Sequence, residues 1–179
     1  MKGREIVVGV SGSIAAYKAA DVVSKLVQGG AGVTVVMTRA ATQFVGPLTF
    51  QSLTRRRVFC DQFDLDAISD PTHITLTDKA ELVLLCPASA DLLAKAAHGL
   101  ADEMLTALLL AVDCPVLAAP AMNQRMWEHP ATRANVKTLE DRGWRFVDPG
   151  KGFLACGHYA KGRLAEPPEI VEAVKGLLK

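Results

Sequence analysis

The sequence predicts an α/β protein, a three-layer α/β/α sandwich around a mostly parallel sheet, and three observations carry that expectation. Apolar runs of strand length recur at 6–10, 33–37, 82–86, 116–119 and 144–147. Such short continuous runs read as strands buried in a core. The stretches between them place apolar residues at helical spacing, so strands alternate with helices as βαβ units require. Glycine or proline punctuates most of the junctions.

The first unit is the best defined. After the strand at 6–10, Ala15, Ala19, Val22, Val23 and Leu26 share one helical face, Gly29-Gly30 close the helix, and 33–37 returns as a parallel, right-handed second strand. The connecting loop Gly9-Val-Ser-Gly-Ser-Ile14 carries glycines for a tight turn. Its Ser11 and Ser13 hydroxyls are expected beside free amides at the helix start, a terminus that suits a phosphate as well as a simple N-cap. A dinucleotide fingerprint needs a third glycine where Ala15 stands and an acidic residue where Thr38-Arg39 stand. A mononucleotide is therefore favoured over NAD.

Between 40 and 70, Phe44, Leu48, Phe50 and Leu53 predict short helices, followed by a connecting strand and by Arg55-Arg-Arg57 on a solvated face. The strands at 82–86 and 116–119 are each expected to stop at a proline, Pro87 and Pro120. Small residues follow both prolines, so two neighbouring loops offer a flat surface on which a planar ring can lie. Helices are expected at 92–97, 104–112, 132–142 and 170–178, and the last strand at 144–147.

With 179 residues, 50% of them hydrophobic and 22% charged, residues 1–179 are expected to form one domain around one core. The formal net charge is +1, from 20 basic and 19 acidic residues that are scattered rather than clustered, which leaves no footprint for nucleic acid or an anionic membrane. No apolar run approaches a membrane span and the N-terminus lacks a signal-peptide pattern, so a cytoplasmic protein is expected. Cys60, Cys86, Cys114 and Cys156 form no CxxC pair, and disulfides are not expected.

Four positions stand out chemically. Asn123, in Pro120-Ala-Met-Asn-Gln-Arg-Met126, sits where a strand ends, so it either touches a ligand or caps the helix that starts at Gln124. His73, in Asp70-Pro-Thr-His-Ile-Thr-Leu76, is either a base poised near neutral pH or a surface residue. Cys156 lies in a long glycine-rich loop with Lys151, His158, Lys161 and Arg163, cations that favour its thiolate. The Gly12-Ser13 loop is the fourth. No metal is expected, because Cys156 and His158 are the only closely spaced soft ligands and a closed zinc site needs four. A serine hydrolase is disfavoured because no Gly-x-Ser-x-Gly elbow is present.

Together, Gly12-Ser-Ile-Ala-Ala-Tyr-Lys18, His73-Ile74, Pro87-Ala-Ser-Ala-Asp91, Pro120-Ala-Met-Asn-Gln-Arg-Met-Trp127, Ala155-Cys-Gly157 and Gly162-Arg-Leu164 resemble the homo-oligomeric flavin-containing cysteine decarboxylases over nearly the whole chain. The resemblance implies a Rossmann-like sheet and FMN. Its phosphate is expected near Gly12, Ser13, Ile14 and Thr38, and its ring against Phe44 and the loop of Ser89 and Ala90. By the same resemblance His73 is the catalytic base, Asn123 holds the substrate carboxylate and Cys156 delivers a proton, with Met126, Ala155, Lys161 and Arg163 also at the substrate. The branch implied is the one that converts 4'-phosphopantothenoylcysteine to 4'-phosphopantetheine in coenzyme A biosynthesis. Its members assemble as trimers or groups of trimers, and many are fused to a phosphopantothenate-cysteine ligase domain. Where many relatives carry a basic residue five positions after the histidine, this chain has Asp78.

Three alternatives are weighed against that branch. A peptidyl-cysteine decarboxylase shares the His and Asn motifs, but Cys156-Gly157 with Gly162-Arg163 argues against it. An FMN prenyltransferase lacks the Pro-Ala-Met-Asn motif. A non-catalytic flavin-binding or regulatory subunit is disfavoured by the joint presence of His73, Asn123 and Cys156.

Overall fold

The computed structural model describes residues 1–63, 72–153, 157 and 159–178, except for the side chains of Thr72 and His73. Six strands, β1 (Glu5–Val10), β2 (Gly32–Met37), β3 (Val58–Phe59), β4 (Leu82–Ala88), β5 (Val116–Pro120) and β6 (Arg145–Phe146), form one parallel sheet in the order β3-β2-β1-β4-β5-β6. Apolar side chains alternate between its two faces. Ile6, Val8 and Val10 of β1, with Leu82, Leu84 and Cys86 of β4, pack on one side, and Val7, Val83 and Leu85 on the other. Both faces are covered, which is why these strands lack the apolar/polar alternation of a half-exposed sheet.

Helices α1 (Ala16–Gln28), α2 (Pro47–Thr54) and α8 (Pro167–Leu177) cover the first face through Ala19, Val22, Val23, Leu26, Phe50, Ile170 and Val174. Helices α3 (Thr72–Lys79), α4 (Ala90–His98), α5 (Met104–Ala111) and α7 (Pro130–Asp141) cover the second through Leu76, Leu92, Leu93, Leu105, Leu108, Val136 and Leu139. This is the expected three-layer Rossmann-like sandwich. The short helix α6 (Gln124–Glu128) leads into α7, whose first amide cap comes from His129: Nδ1 accepts from Ala131 N at 3.2 Å. Among the described residues no helix is long and apolar enough to cross a membrane.

Several local expectations are corrected. β4 runs through Pro87 to Ala88 instead of stopping at the proline, whereas β5 does end at Pro120. Proline lacks only the N–H, and its carbonyl remains available: Pro87 O accepts from Ser11 N at 3.2 Å. The glycine-rich stretch after β6 is not all loop, since β7 (Gly150–Phe153) pairs antiparallel with β8 (Tyr159–Arg163) as a hairpin, with Phe153 and Tyr159 in an edge-on ring contact at 5.8 Å. Ala16 is fully buried beside Ala15, which stands at the N-cap of α1 and packs against the same core. The arginine triplet is not simply solvated. Arg56 makes a two-pronged ion pair with Glu5 (2.5 and 3.0 Å), clamping β1 to the segment before β3, and Arg57 lies 6.0 Å over the Phe59 ring. The Arg56 guanidinium holds the Glu5 carboxyl below its ordinary range.

Candidate functional site

In this strand order the chain reverses its direction of travel between β1 and β4, and a crevice opens there beyond the carboxyl ends of the strands. The loop after β1 enters it. Among the described residues the backbone amides of Gly12, Ser13 and Ile14 donate to no other group, and α1 follows Ala15 with no side-chain cap and no acidic residue in its first turn. A helix of 13 residues that starts this way presents uncompensated N–H donors, the arrangement that accepts an anion. Gly12 is required by packing: a Cβ there would stand 2.6 Å from the Ala40 Cβ, so the loops after β1 and β2 touch.

The two serines differ in role. Ser11 is buried and faces away from the helix start: its Oγ donates to Pro87 O at 2.7 Å and accepts from Ser89 N at 2.8 Å, joining the β1 and β4 loops. The expectation that its hydroxyl stands beside the free amides of α1 is thus corrected. Ser13 does stand there, accepting from Ala15 N and donating to Ala121 O, both at 3.3 Å. Ser13 therefore links the anion-type loop to the end of β5.

Thr38 follows β2 directly and is buried, with Oγ1 accepting from Ala41 N at 3.1 Å at a 3-10 turn that leads to Phe44. Ser89 caps α4 by accepting from Leu92 N at 3.2 Å, and Ala90 begins that helix. The small residues Ala88, Ser89, Ala119 and Ala121 line the adjacent ends of β4 and β5, where Ala88 pairs with Pro120 and its carbonyl accepts from Ala121 N at 3.2 Å. The two loops expected to offer a platform are thus adjacent and lined by small residues. Around them, Ile14, Phe44 and Met126 are about half exposed (59%, 50% and 49%), large apolar side chains left open to solvent at the sheet end where the crevice lies.

Asn123 is the N-cap of α6, and its Oδ1 accepts from Arg125 N at 2.9 Å. The cap and the ligand contact posed as alternatives are compatible, because capping engages the oxygen while a carboxylate is met by the amide N–H groups. His73 falls in the first turn of α3, which runs antiparallel to the strands and delivers the chain to the start of β4, so that turn is the helix end nearer the crevice. Ala155 and Cys156 lie outside the described residues. Lys161 stands 3.6 Å from Asp148, and Arg163 stands 3.5 Å from Glu166 while covering Gly152. In this state both cations expected at the substrate face carboxylates of their own chain. Cys86 is no candidate: complete burial pushes its thiol up to about 12.

Two hollows flank the sheet. One, of about 380 Å³, opens beside Arg39, Thr42, Cys60 and Met104, next to the β2 loop, and the other, of about 240 Å³, lies at the opposite end over Glu5 and Arg56.

A parallel sheet with an anion cradle at its switch point, a small-residue platform and an amide-bearing turn defines an α/β protein that holds a phosphate-bearing planar ligand. Residues 1–179 match the Flavoprotein family model, and the chain belongs to that family. It is 48% identical over 172 residues to the coenzyme A biosynthesis bifunctional protein CoaBC of Bacillus subtilis, covering 96% of this chain and 42% of that one. The chain thus spans less than half the length of the curated relatives it matches. Among solved structures, a PPC decarboxylase cysteine-to-serine mutant complexed with pantothenoylaminoethenethiol superposes with a TM-score of 0.87 at 32% identity, over 98% of this chain and 97% of the other. The FMN-dependent cysteine decarboxylase SpaF superposes with a TM-score of 0.86 at 33% identity, over 98% and 95%.

Sequence reasoning quoted Gly162 and Lys18 only within motifs and did not single out Glu166, so it missed the contacts that these residues make. Gly162 meets Met122 through backbone alone, and the Lys18–Glu166 pair (3.0 Å) joins α1 to the start of α8. Neither contact leaves a local pattern in the chain.

Proposed function

We propose that this chain is an FMN-dependent carboxy-lyase that converts 4'-phosphopantothenoylcysteine to 4'-phosphopantetheine in coenzyme A biosynthesis. One observation carries the reading: the anion cradle at Gly12 to Ile14 and the Asn123 turn belong to one crevice, joined by the Ser13 to Ala121 contact of 3.3 Å. A phosphate-bearing ring and a substrate carboxylate are thereby brought to neighbouring positions. The likeness to the CoaBC proteins and to PPC decarboxylase supports the substrate, and the Flavoprotein family and SpaF support the cofactor.

The residues fit FMN. Free amides at the α1 N-terminus suit its phosphate, Thr38 closes that side, and the Ser89-Ala90 loop with Phe44 gives the ring small and apolar neighbours. When bound, the flavin would supply the reversible two-electron sink that a cysteine carboxylate lacks, which would let the side chain be oxidised to a thioaldehyde for CO2 loss and reduced again afterwards. The chain's own groups do the rest. His73 takes a proton as base, and Asn123 holds the carboxylate through neutral amide donors. An amide avoids the strong ground-state ion pair that would retain the leaving group. Cys156 delivers a proton to carbon late in the cycle. Met126, Ala155, Lys161 and Arg163 serve the substrate, Lys161 by exchanging Asp148 for one of its anionic groups and Arg163 from its place beside Glu166.

Residues 1–179 act as one domain of a cytoplasmic homotrimer or multiple of trimers, alone or joined to a phosphopantothenate-cysteine ligase as in the bifunctional relatives. The test is direct. Purified protein should be yellow and release CO2 from 4'-phosphopantothenoylcysteine but not from a peptide ending in cysteine. Turnover of the peptide alone would establish the peptidyl-cysteine reading, and a flavin-loaded protein inert to both would establish a non-catalytic one.

A further inference from the structure

We propose that Gly162 is a positioning residue for Asn123: strand β8, seated without a side chain against the Asn123 turn, sets where that carboxamide stands. The inference rests on the carboxylate-holding reading of Asn123. Gly162 has φ +134°, and a Cβ there would lie 2.3 Å from Met122 O, 3.3 Å from Gln124 N and 3.4 Å from Asn123 C. Met122 N donates to Gly162 O at 2.9 Å. Two backbones therefore touch directly, immediately beside Asn123, where any L side chain is both strained and obstructed.

The turn has no room to retreat. On its other side Ala121 N donates to Ala88 O at 3.2 Å and Ala121 O accepts from Ser13 at 3.3 Å, which ties it to the sheet and to the anion cradle. Because Asn123 Oδ1 accepts from Arg125 N at 2.9 Å, the carboxamide is oriented by that same backbone.

Strand β8 is equally restrained. Arg163 covers Gly152, its Cδ only 3.0 Å from where a Cβ would stand, and reaches Glu166 at 3.5 Å. Glu166 also pairs at 3.0 Å with Lys18, whose side chain is 11% exposed. A methyl group at position 162 must therefore displace the turn. Ordinary contact begins near 3.4 Å against the 2.3 Å available, so the shift is about 1 Å, a misplacement that costs roughly a hundredfold at a reacting centre.

The experiment uses the flavin-loaded protein and two non-reactive probes, the amides of 4'-phosphopantothenic acid with alanine, which keeps the carboxylate without the thiol, and with ethylamine, which has neither. Dissociation constants are read by flavin absorbance. The wild type should prefer the alanine amide by about tenfold or more. In Gly162→Ala that preference should fall to within about twofold while the ethylamine amide and the flavin content are unchanged, and kcat should drop by roughly 10- to 100-fold. A preserved preference, or equal weakening of both probes, overturns the positioning role. If Gly162→Ala does not fold, Glu166→Gln decides the matter, because it keeps a cap at α8 and releases the charge anchor of β8; its preference should fall at least about threefold, and an unchanged one overturns the proposal. A wild type with no preference overturns the carboxylate reading itself, and the positioning role with it, before any variant is made.

Discussion

Ser11→Ala should destabilise the fold at the point where the crevice is built. The Ser11 hydroxyl, 1% exposed, donates to Pro87 O at 2.7 Å and accepts from Ser89 N at 2.8 Å. Alanine fits the same space, so no carbon packing is lost. Pro87 O keeps the Ser11 backbone amide at 3.2 Å, whereas Ser89 N loses its acceptor. The cost is that of one unsatisfied, largely buried donor, about 2 kcal/mol. In a chain of this length each kcal/mol moves the melting midpoint by roughly 2–4 °C, so a fall of about 4–8 °C is expected. Melting of flavin-free protein isolates that term from ligand linkage. Ser13→Ala is the control. Its hydroxyl is half-buried and its contacts are both 3.3 Å, so less than about 1 kcal/mol should be lost. A shift for Ser11→Ala no larger than that of Ser13→Ala would refute the assignment of Ser11 as the tie between the β1 and β4 loops.

Two further substitutions test other levels of the structure. Asn123→Asp should keep the α6 cap, because aspartate caps as well as asparagine, and should leave the melting midpoint within about 1 °C. Turnover should nonetheless be abolished by repulsion of the substrate carboxylate with flavin retained; surviving decarboxylation would remove Asn123 from that role. Glu5→Gln tests the clamp at the opposite end of the sheet. Arg56 lowers the folded-state pKa of Glu5 below its ordinary 4.5, so the pair contributes stability above that value and loses it as the pH falls through the lowered one. With both side chains 40% exposed, the deficit of the variant should be about 0.5–1 kcal/mol at neutral pH and should vanish in acid. Urea unfolding at the two pH values checks this, and a pH-independent deficit would contradict it.

Element positions were legible wherever burial is nearly uniform. The runs in β1, β2, β4 and β5 sit between two helical layers, so their apolar character is unbroken and their limits fall within a residue or two of expectation. The hairpin of β7 and β8 was not legible. Its pattern of Gly, Lys, Tyr and Arg on a largely exposed ribbon carries no apolar period, and cross-strand pairing with its neighbour supplies what burial does not. Arg56 was misread for a similar reason, since its partner Glu5 is 51 residues away. Of the candidate site residues, Gly12, Ser13 and Asn123 could be proposed from position because each follows a strand end, where open sheets hold ligands, whereas Thr38 and Ser89 were proposed through the family resemblance.

By itself, the order of apolar runs and breakers determined the class of fold, the parallel sheet and the set of loops that meet at its carboxyl end, because these follow from local periodicity and the handedness of βαβ connections. Only the tertiary structure decided which backbone those loops touch. It turned Ser11 away from the helix start and onto the β4 loop, and it set Gly162 against Met122 and Glu166 between Lys18 and Arg163. Most of these contacts join residues far apart in the chain, from about 40 to about 150 positions, by close packing of rigid elements. No local stretch of chain encodes such a distance, and it exists only once the sheet has assembled.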